Sequence, residues 1–308
     1  MFSVIFPGQG SQIVGMGKEF YDRFDFVKNL FKEADEVLGL PLSKIIIEGP
    51  KEELNLTANT QPAIFLISYS IFQVIKKEFN IDLYKAKFFA GHSLGEYSAI
   101  ACAGYLNFQD TIKILKIRGE AMQNSIPKGE GGMVAVLGVT IENIEKILED
   151  NKIFFLAEIA NDNSEGQIVL SGKNQDLEKL SDVLKANKIK NIKLPVSAPF
   201  HCSLMSKATN IMKEELIKLR FKKGSNPLIS NITADEIFNE DELKDLLIKQ
   251  IENRVRWRES VINMIDKGVN QFIEIGPGKV LAGLVKRINK EVIVSSINNE
   301  EDIKNIKI

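Results

Sequence analysis

The chain has 308 residues, of which 44% are hydrophobic and 26% are charged, and its formal net charge at pH 7 is −1. These values are typical of a globular protein with a sizeable core, and the balanced charge gives no indication of a nucleic-acid partner. No apolar run is long enough to cross a membrane, and the sequence begins with a strand-like segment and not with a charged leader. Two cysteines, Cys102 and Cys202, are too few for a disulfide framework, so we expect a cytoplasmic location.

Strand-like and helix-like segments alternate over the first ~125 residues, and this alternation predicts a parallel α/β sheet. The first strand is predicted at Phe2–Phe6. A largely apolar helix follows at residues 63–77, with Thr60 as its N-cap and Pro62 in its first turn. We therefore expect a large α/β subdomain with a mainly parallel sheet.

A glycine-rich linker at residues 128–132 precedes a different pattern. Residues 133–194 are predicted to form a strand, a helix, two strands, a helix and a strand, which is the βαββαβ order of a ferredoxin-like unit. We expect residues 128–195 to be a small subdomain inserted into a larger one, which comprises residues 1–127 and 196–308.

The segment Gly91-His92-Ser93-Leu94-Gly95 fits the G-x-S-x-G pattern, in which a serine lies on a sharp turn between a strand and a helix. Residues 86–90 before it are apolar and strand-like, and residues 96–103 after it are helical in character. Ser93 is therefore a candidate nucleophile at a helix N-terminus, where backbone N–H groups favour negative charge.

A serine hydroxyl needs a base to take its proton, and the chain contains two histidines, His92 and His201. His92 adjoins Ser93, and neighbours on a tight turn rarely point at each other. His201 lies in a proline-containing loop at residues 195–202, the kind of segment in which catalytic groups are common. We interpret His201 as the general base; the alternative is a purely structural histidine.

Gln9 follows the first strand in the glycine-containing turn Gly8-Gln9-Gly10. Its backbone N–H is a candidate to form an oxyanion hole with that of Leu94, the residue after the nucleophile. A dinucleotide-binding loop is disfavoured because its third glycine would fall at Ile13. The alternative is a tight turn required only for packing.

Arg118 is the one charge on an apolar face of the helix predicted at residues 107–123. A charge in such surroundings needs a partner. That partner is either an Asp or Glu of the core or the carboxylate of a substrate, which a guanidinium can hold with two parallel hydrogen bonds. The periodicity leaves both alternatives open.

Taken together, these segments resemble the malonyl-CoA:acyl carrier protein transacylases. The matching segments occur in family order over nearly the whole chain: Phe6-Pro7-Gly8-Gln9-Gly10-Ser11-Gln12, Thr60-Gln61-Pro62-Ala63, Gly91-His92-Ser93-Leu94-Gly95-Glu96-Tyr97-Ser98-Ala99, Arg118-Gly119, Gly131-Gly132-Met133, Val169-Leu170-Ser171-Gly172, Pro199-Phe200-His201, Val255-Arg256-Trp257 and Glu274-Ile275-Gly276-Pro277-Gly278. Their combination is specific, although no single segment is.

The resemblance implies a large α/β-hydrolase-like subdomain with the inserted ferredoxin-like subdomain. It also implies roles at the matching positions. Ser93 would hold the acyl group, and His201 would be the general base. The backbone amides of Gln9 and Leu94 would form the oxyanion hole, and Arg118 would bind the malonyl carboxylate.

Gln250 would orient His201 through its main-chain carbonyl, where a catalytic triad has an aspartate. Phe200 and Leu94 resemble the residues of malonyl-selective domains and would exclude a methyl branch on the acyl group. The residues expected to line the substrate are Gln61, His92, Asn161 and Phe200.

The expected reaction is transfer of malonyl from malonyl-CoA to the phosphopantetheine thiol of acyl carrier protein, for fatty-acid synthesis. It would use a malonyl-serine intermediate and ping-pong kinetics, with no tightly bound cofactor and no metal. We expect a monomer whose partners are malonyl-CoA and acyl carrier protein. Two alternatives remain: a serine hydrolase or thioesterase of α/β-hydrolase type, and an inactive scaffold that binds the carrier protein.

Overall fold

The computed structural model describes residues 1–196, 198–237 and 239–307. The chain opens with a buried strand, as predicted, and then forms four consecutive helices. These elements are β1 (Phe2–Phe6), α1 (Lys18–Arg23), α2 (Asp25–Leu38), α3 (Leu42–Glu48) and α4 (Lys51–Leu54).

Helix α5 (Thr57–Glu78) is buried along most of its length, in agreement with its apolar sequence. The predicted N-cap is wrong: the helix begins at Thr57, with Leu56 as the N-cap residue. The Thr60 hydroxyl donates to the main-chain oxygens of Leu54 and Leu56 instead, at 2.6 and 3.1 Å. Thr60 therefore lies inside the helix and does not act as its N-cap residue. Pro62 also lies inside the helix.

Strand β2 (Phe89–Gly91) is shorter than the predicted strand at residues 86–90 and ends one residue later. It leads through the turn at Ser93 into helix α6 (Leu94–Cys102), and helix α7 (Phe108–Gln123) follows. Helix α7 begins one residue after the predicted start, and the side chain of its N-cap residue Asn107 accepts a hydrogen bond from the N–H of Asp110.

The next six elements follow the predicted βαββαβ order, and their four strands form a separate sheet. They are β3 (Gly131–Leu137), α8 (Ile141–Asn151), β4 (Ala157–Ser164), β5 (Gln167–Lys173), α9 (Asn174–Ala186) and β6 (Lys190–Lys193). The strand order is β4-β5-β3-β6, and neighbouring strands are antiparallel. This small subdomain has its own apolar core, in which Val136 and Leu170 pack with Leu180.

The remaining chain completes the large subdomain. Its elements are α10 (Ser206–Lys218), β7 (Leu228–Ile229), α11 (Glu240–Lys249), α12 (Trp257–Asp266), β8 (Gln271–Ile275), α13 (Val280–Ile288), β9 (Ile293–Ile297) and α14 (Glu300–Lys304). The large sheet has five strands in the order β7-β2-β1-β8-β9, and all its neighbouring pairs are parallel. The expected fold, a parallel α/β subdomain with a ferredoxin-like second subdomain, is confirmed.

Three loops that follow neighbouring strands meet at one edge of the large sheet. Gln9 follows β1, Ser93 follows β2 and Asn231 follows β7. Because the carboxyl ends of parallel strands share one edge, this arrangement creates the crevice in which α/β proteins place their ligands. Within the described ranges, no helix is both long and apolar enough to traverse a bilayer.

Candidate active site

Ser93 lies on a strained turn between β2 and α6. Its backbone has φ 52° and ψ −110°, a conformation that L-residues rarely adopt and that costs roughly 1–3 kcal/mol. Two glycines make the turn possible because the chain passes very close to itself. A Cβ on Gly91 would lie 2.0 Å from the carbonyl carbon of Gly95, and a Cβ on Gly95 would lie 2.2 Å from the Phe6 oxygen. The turn therefore presents the Ser93 hydroxyl at the start of a helix.

His201 is in hydrogen-bond contact with the serine. Its Nε2 lies 2.8 Å from Ser93 Oγ, and its Nδ1 lies 2.8 Å from the main-chain oxygen of Gln250. A carbonyl oxygen can only accept, so Nδ1 holds the proton and Nε2 is free to accept the proton of the serine. The same logic operates in a Ser-His-Asp triad, here with a carbonyl in the place of the carboxylate.

The environment keeps His201 neutral. Its side chain is buried, and burial together with the nearby positive charge of Arg118 lowers the pKa of His201 to about 3. At neutral pH the imidazole is therefore unprotonated, which is the state that a general base requires.

Arg118 lies on α7 and is only 1% exposed, but it forms no ion pair within the described part of the chain. Its NH1 donates to Gln61 Oε1 at 2.7 Å, and its NH2 donates to Gln250 Oε1 at 2.8 Å and to Ser93 Oγ at 3.1 Å. The Nε atom is buried and has no hydrogen-bond partner among the described residues. Of the two alternatives from the sequence, the ion pair with a core acid does not form among the residues that the structure describes.

Gln9 and Leu94 both border the cavity beside Ser93. Neither backbone amide donates a hydrogen bond to any residue that the structure describes. Leu94 is the first residue of α6, where N–H groups have no acceptor inside the helix. Two unused donors on the two loops that follow β1 and β2 are suited to bind an oxyanion.

The cavity has a volume of about 100 Å³. It is bordered by every residue that the sequence predicted to contact the acyl group. Its other walls are apolar, formed by Met122, Met133, Leu194 and Val196. The predicted lining residues are all present: Gln61, His92, Asn161 and Phe200. Residues from both subdomains therefore enclose a small, partly apolar chamber above Ser93.

The polar lining residues are held in different ways. His92 Nε2 lies 2.8 Å from Asn163 Oδ1, so this ring is held by the small subdomain. Burial lowers the pKa of His92, which keeps it neutral as well. Gln61 is turned toward Arg118, while Asn161 Oδ1 is buried and has no hydrogen-bond partner in the part of the chain that the structure describes. Asn161 thus offers an unused acceptor beside the cavity.

A buried hydrogen-bond network next to the serine was not predicted from the sequence. Asn231 Oδ1 accepts from the Ser93 N–H, and Asn231 Nδ2 donates to the Gly91 oxygen, both at 2.7 Å. Glu96 and Gln250 join this network through the Gln250 Nε2, which lies 2.6 Å from Glu96 Oε2. Glu96 lies in a segment that resembles the family, but no sequence pattern indicated its burial or its partner.

Known proteins match nearly the whole chain. The family model described as acyl transferase domain matches residues 3–307. The malonyl CoA-acyl carrier protein transacylase of Bacillus subtilis (strain 168) is 44% identical over 304 residues, which cover 97% of this chain and 94% of that one. The Escherichia coli (strain K12) protein of the same name is 38% identical over 299 residues, 96% of each chain.

Solved structures give the same result. The acyl-carrier-protein-S-malonyltransferase of Bartonella henselae superposes with a TM-score of 0.95 at 41% identity, covering 98% of this chain and 97% of that one. A malonyl-transacylase solved in complex with its type II PKS acyl-carrier protein superposes with a TM-score of 0.94 at 36% identity, with the same coverage of 98% and 97%.

Proposed function

Because this chain belongs to the acyl transferase domain family, we propose that it transfers malonyl from malonyl-CoA to the phosphopantetheine thiol of acyl carrier protein, for fatty-acid chain elongation. One observation supports this substrate above all. A buried guanidinium with no ion-pair partner among the described residues lies 3.1 Å from the Ser93 hydroxyl. A buried cation needs an anion, and the free carboxylate of a malonyl group supplies one within the acyl pocket.

The first step forms the malonyl-enzyme. Ser93 Oγ attacks the thioester carbonyl while His201 Nε2 takes the hydroxyl proton. The new C–O bond produces a tetrahedral oxyanion, which the amides of Gln9 and Leu94 stabilise by about 2.7–4 kcal/mol each. The C–S bond then breaks, and His201 returns the proton to the departing CoA sulfur.

Substrate binding also improves the base. Arg118 is one of the causes that lower the His201 pKa. When the malonyl carboxylate pairs with Arg118, the positive charge that opposes protonation of His201 is compensated. The correct substrate therefore raises the basicity of His201 at the moment when the proton has to move.

The second step reverses the first with a different thiol. The phosphopantetheine thiol gives its proton to His201 and attacks the malonyl-serine carbonyl. The C–S bond to the carrier forms, the bond to Ser93 Oγ breaks, and the serine recovers its proton. Because CoA leaves before the carrier reacts, the kinetics are ping-pong.

We assign supporting roles to the other site residues. Gln250 orients His201 through its main-chain oxygen, and Gln61 orients Arg118. Phe200 and Leu94 narrow the pocket and favour malonyl over a methyl-branched acyl group. The remaining lining residues proposed to contact the substrate are His92 and Asn161.

The two alternatives from the sequence are less well supported than transfer. A serine hydrolase would have no use for a buried arginine beside the nucleophile, and an inactive scaffold would not need the 2.8 Å contact between Ser93 and His201. The relatives that cover nearly the whole chain are named as transacylases.

Mass spectrometry of the intact protein tests the proposal. With malonyl-CoA, the protein should gain one malonyl group, which adding the phosphopantetheine-bearing carrier should move to the carrier. Ser93→Ala should gain nothing. Loss of the malonyl group to water at the same rate with and without carrier would indicate a hydrolase, and no adduct at all would indicate a scaffold.

We also propose a domain division and a setting for the reaction. The division is residues 1–127 with 196–308, and residues 128–195 as the insertion. The cytoplasm suits this chemistry because the acceptor is a reduced thiol, and both cysteines of the chain are free. The reaction requires no bound cofactor, since Ser93 and His201 supply the nucleophile and the proton transfer. We propose that the enzyme acts as a monomer.

A further inference from the structure

Glu96 is a buried acid that the proposed mechanism does not use. It lies in the first turn of α6 and is 1% exposed. Its Oε2 accepts from Gln250 Nε2 at 2.6 Å and from the Asn231 N–H at 3.4 Å, and its Oε1 has no hydrogen-bond partner in the described residues. An acid buried in this way is costly, and an apolar residue would fill the same space at lower cost.

The contacts of Glu96 determine how the Gln250 side-chain amide is turned. Gln250 Nε2 faces three acceptors, which are Glu96 Oε2 at 2.6 Å, the Ser93 main-chain oxygen at 3.1 Å and Asn231 Oδ1 at 3.3 Å. The closest of the three is the acid. The opposite amide orientation would bring the Gln250 oxygen against these oxygens and the NH₂ group against a cation.

The other end of the same amide faces Arg118. Gln250 Oε1 accepts from Arg118 NH2 at 2.8 Å, and the same NH2 reaches Ser93 Oγ. The main-chain oxygen of Gln250 meanwhile accepts from His201 Nδ1. Gln250 thus contacts the turn at Ser93, the base His201 and Arg118. Among the side chains that Gln250 contacts, Glu96 is the closest.

We propose that Glu96 is a positioning residue that fixes the Gln250 amide and, through it, the Arg118 guanidinium that receives the substrate carboxylate. This inference rests on the proposed function, because it assigns Arg118 to the malonyl carboxylate. Burial raises the pKa of Glu96 to about 8, so the neutral acid predominates at pH 7. A neutral acid accepts a hydrogen bond without adding an anion that would compete with the substrate for Arg118.

The test compares Glu96→Met, which removes the acceptor at similar volume, with Glu96→Gln, which retains one. We measure kcat/KM for malonyl-CoA and for acetyl-CoA, whose acyl group has no carboxylate. In Glu96→Met the ratio of malonyl to acetyl should fall roughly fivefold to tenfold, the effect of losing about one hydrogen bond. Glu96→Gln should restore most of the ratio. Equal losses with both substrates would overturn the proposal.

Glu274→Met is the matched control. Glu274 is also a fully buried acid, and it accepts from the amides of Leu281 and Ala282 and from the Ser296 hydroxyl, away from the cavity. Its replacement should lower stability without changing the malonyl-to-acetyl ratio. A change in that ratio equal to that of Glu96→Met would show that loss of any buried acid produces the effect, and would overturn the proposal.

A double variant tests the route through Gln250. If Glu96 acts only through that side chain, Glu96→Met should not change the ratio further when Gln250 is already Met. If the effects of the Glu96 and Gln250 substitutions on the ratio were additive, Glu96 would not act through Gln250. The parent protein must form the malonyl-enzyme in the same assay, so a failure of the proposed function is distinguished from a failure of the role of Glu96.

Discussion

Arg118 combines two effects that a surface arginine would not have. It is buried, so its charge is weakly screened, and its hydrogen-bond acceptors are neutral groups. A substrate carboxylate that reaches it replaces part of the hydration that the guanidinium lost on folding. We propose that the residue selects the acyl group by charge, while the apolar walls select it by size.

Arg118→Met tests this selection while keeping most of the side-chain volume. Transfer of malonyl should fall about 10- to 100-fold in kcat/KM, which corresponds to about 1.5–3 kcal/mol for a charge-assisted hydrogen bond. Transfer of acetyl should fall much less, so that the preference between the two substrates narrows or reverses. Steady-state kinetics with both CoA esters measure the change, and an equal loss for both would remove Arg118 from substrate recognition.

The same variant has a consequence for pH. Burial is the larger cause of the low His201 pKa and Arg118 is the next, so removal of the arginine should raise that pKa above about 3. A general base becomes protonated and inactive as the pH falls through its pKa. The acid limb of the pH profile for acetyl transfer, where the rate falls with decreasing pH, should therefore lie at higher pH in Arg118→Met than in the parent. A limb that moves to lower pH, or does not move, would contradict the electrostatic coupling.

Single residues differed in how far the sequence could predict them. Ser93 could be chosen from the G-x-S-x-G pattern, His201 because histidine is scarce in this chain, and Arg118 because a lone charge on an apolar helix face is conspicuous. Asn231 could not, since asparagine is common in loops and its partner Ser93 is 138 residues away. A hydrogen bond between a side chain and a backbone atom far away in the sequence can be identified only from the folded structure.

At the scale of elements, the passage from β2 to α6 depends on close packing more than on propensity. The strand has only three residues, and the helix that follows lies directly against the loop after β1. Backbone atoms approach each other here more closely than any Cβ would permit. The close approach of the backbone therefore requires glycine at both positions of the motif. The strained backbone of Ser93 is a separate feature of the same turn.

Gly91→Ala should disrupt this passage. The added Cβ would meet backbone atoms of Gly95 at 2.0 Å, and backbone cannot move aside as a flexible side chain can. We expect a loss of at least about 3 kcal/mol in the free energy of unfolding, with loss of Ser93 acylation. Urea denaturation and the malonylation assay measure the two effects.

Gly283→Ala is the control for that experiment. Gly283 lies in α13, and a Cβ there would have nothing within 4 Å. Alanine should stabilise the helix by about 0.4–1 kcal/mol and leave acylation unchanged. If Gly91→Ala unfolded at the same urea concentration as Gly283→Ala and were acylated normally, the close packing would not be required.

The start of α5 shows why element boundaries were harder to predict than element types. The sequence offers a good N-cap candidate, Thr60, before Pro62. The structure places the helix start at Thr57, where Leu56 caps without any side-chain hydrogen bond. Tertiary burial of the first turn overrides the local capping preference, and no local pattern reports that burial.

At the scale of the whole molecule, the cavity lies where the two subdomains meet. The order βαββαβ was predictable because each element has its own periodicity. The strand order of the large sheet was not predicted, since β7 has only two residues and its pairing depends on long crossovers. Strand β4 of the small subdomain joins the segment before α12, through hydrogen bonds from the Val255 N–H to the Ala160 oxygen and from the Asp162 N–H to the Val255 oxygen.

An ion pair reinforces this junction. Arg258 NH2 lies 2.9 Å from Asp162 Oδ2, and its Nε contacts both carboxylate oxygens at 3.0 Å. The Asp162 side chain is 1% exposed and that of Arg258 is 25% exposed. Burial raises the pKa of Asp162, although Arg258 opposes the shift. The neighbours of Asp162 in the chain are Asn161, which borders the cavity, and Asn163, which holds His92.

Arg258→Met should therefore affect stability and substrate binding together. Without its partner, the Asp162 carboxylate is buried and uncompensated, which should cost about 3 kcal/mol at pH 7. The Asp162 pKa should rise further, so the deficit relative to the parent should grow as the pH increases above the ordinary aspartate range and shrink in acid, where the group is neutral in both states. Displacement of β4 should also raise the KM for malonyl-CoA.

Adding Asp162→Asn to Arg258→Met separates the buried charge from the rest of the junction. The double variant has no unpaired carboxylate, so it should recover part of the lost stability, and its deficit should no longer grow as the pH rises. Urea denaturation at several pH values, with KM measured on the folded protein, supplies both readouts. If Arg258→Met lowered stability without a change in KM, the junction would hold the subdomains together but would not shape the pocket.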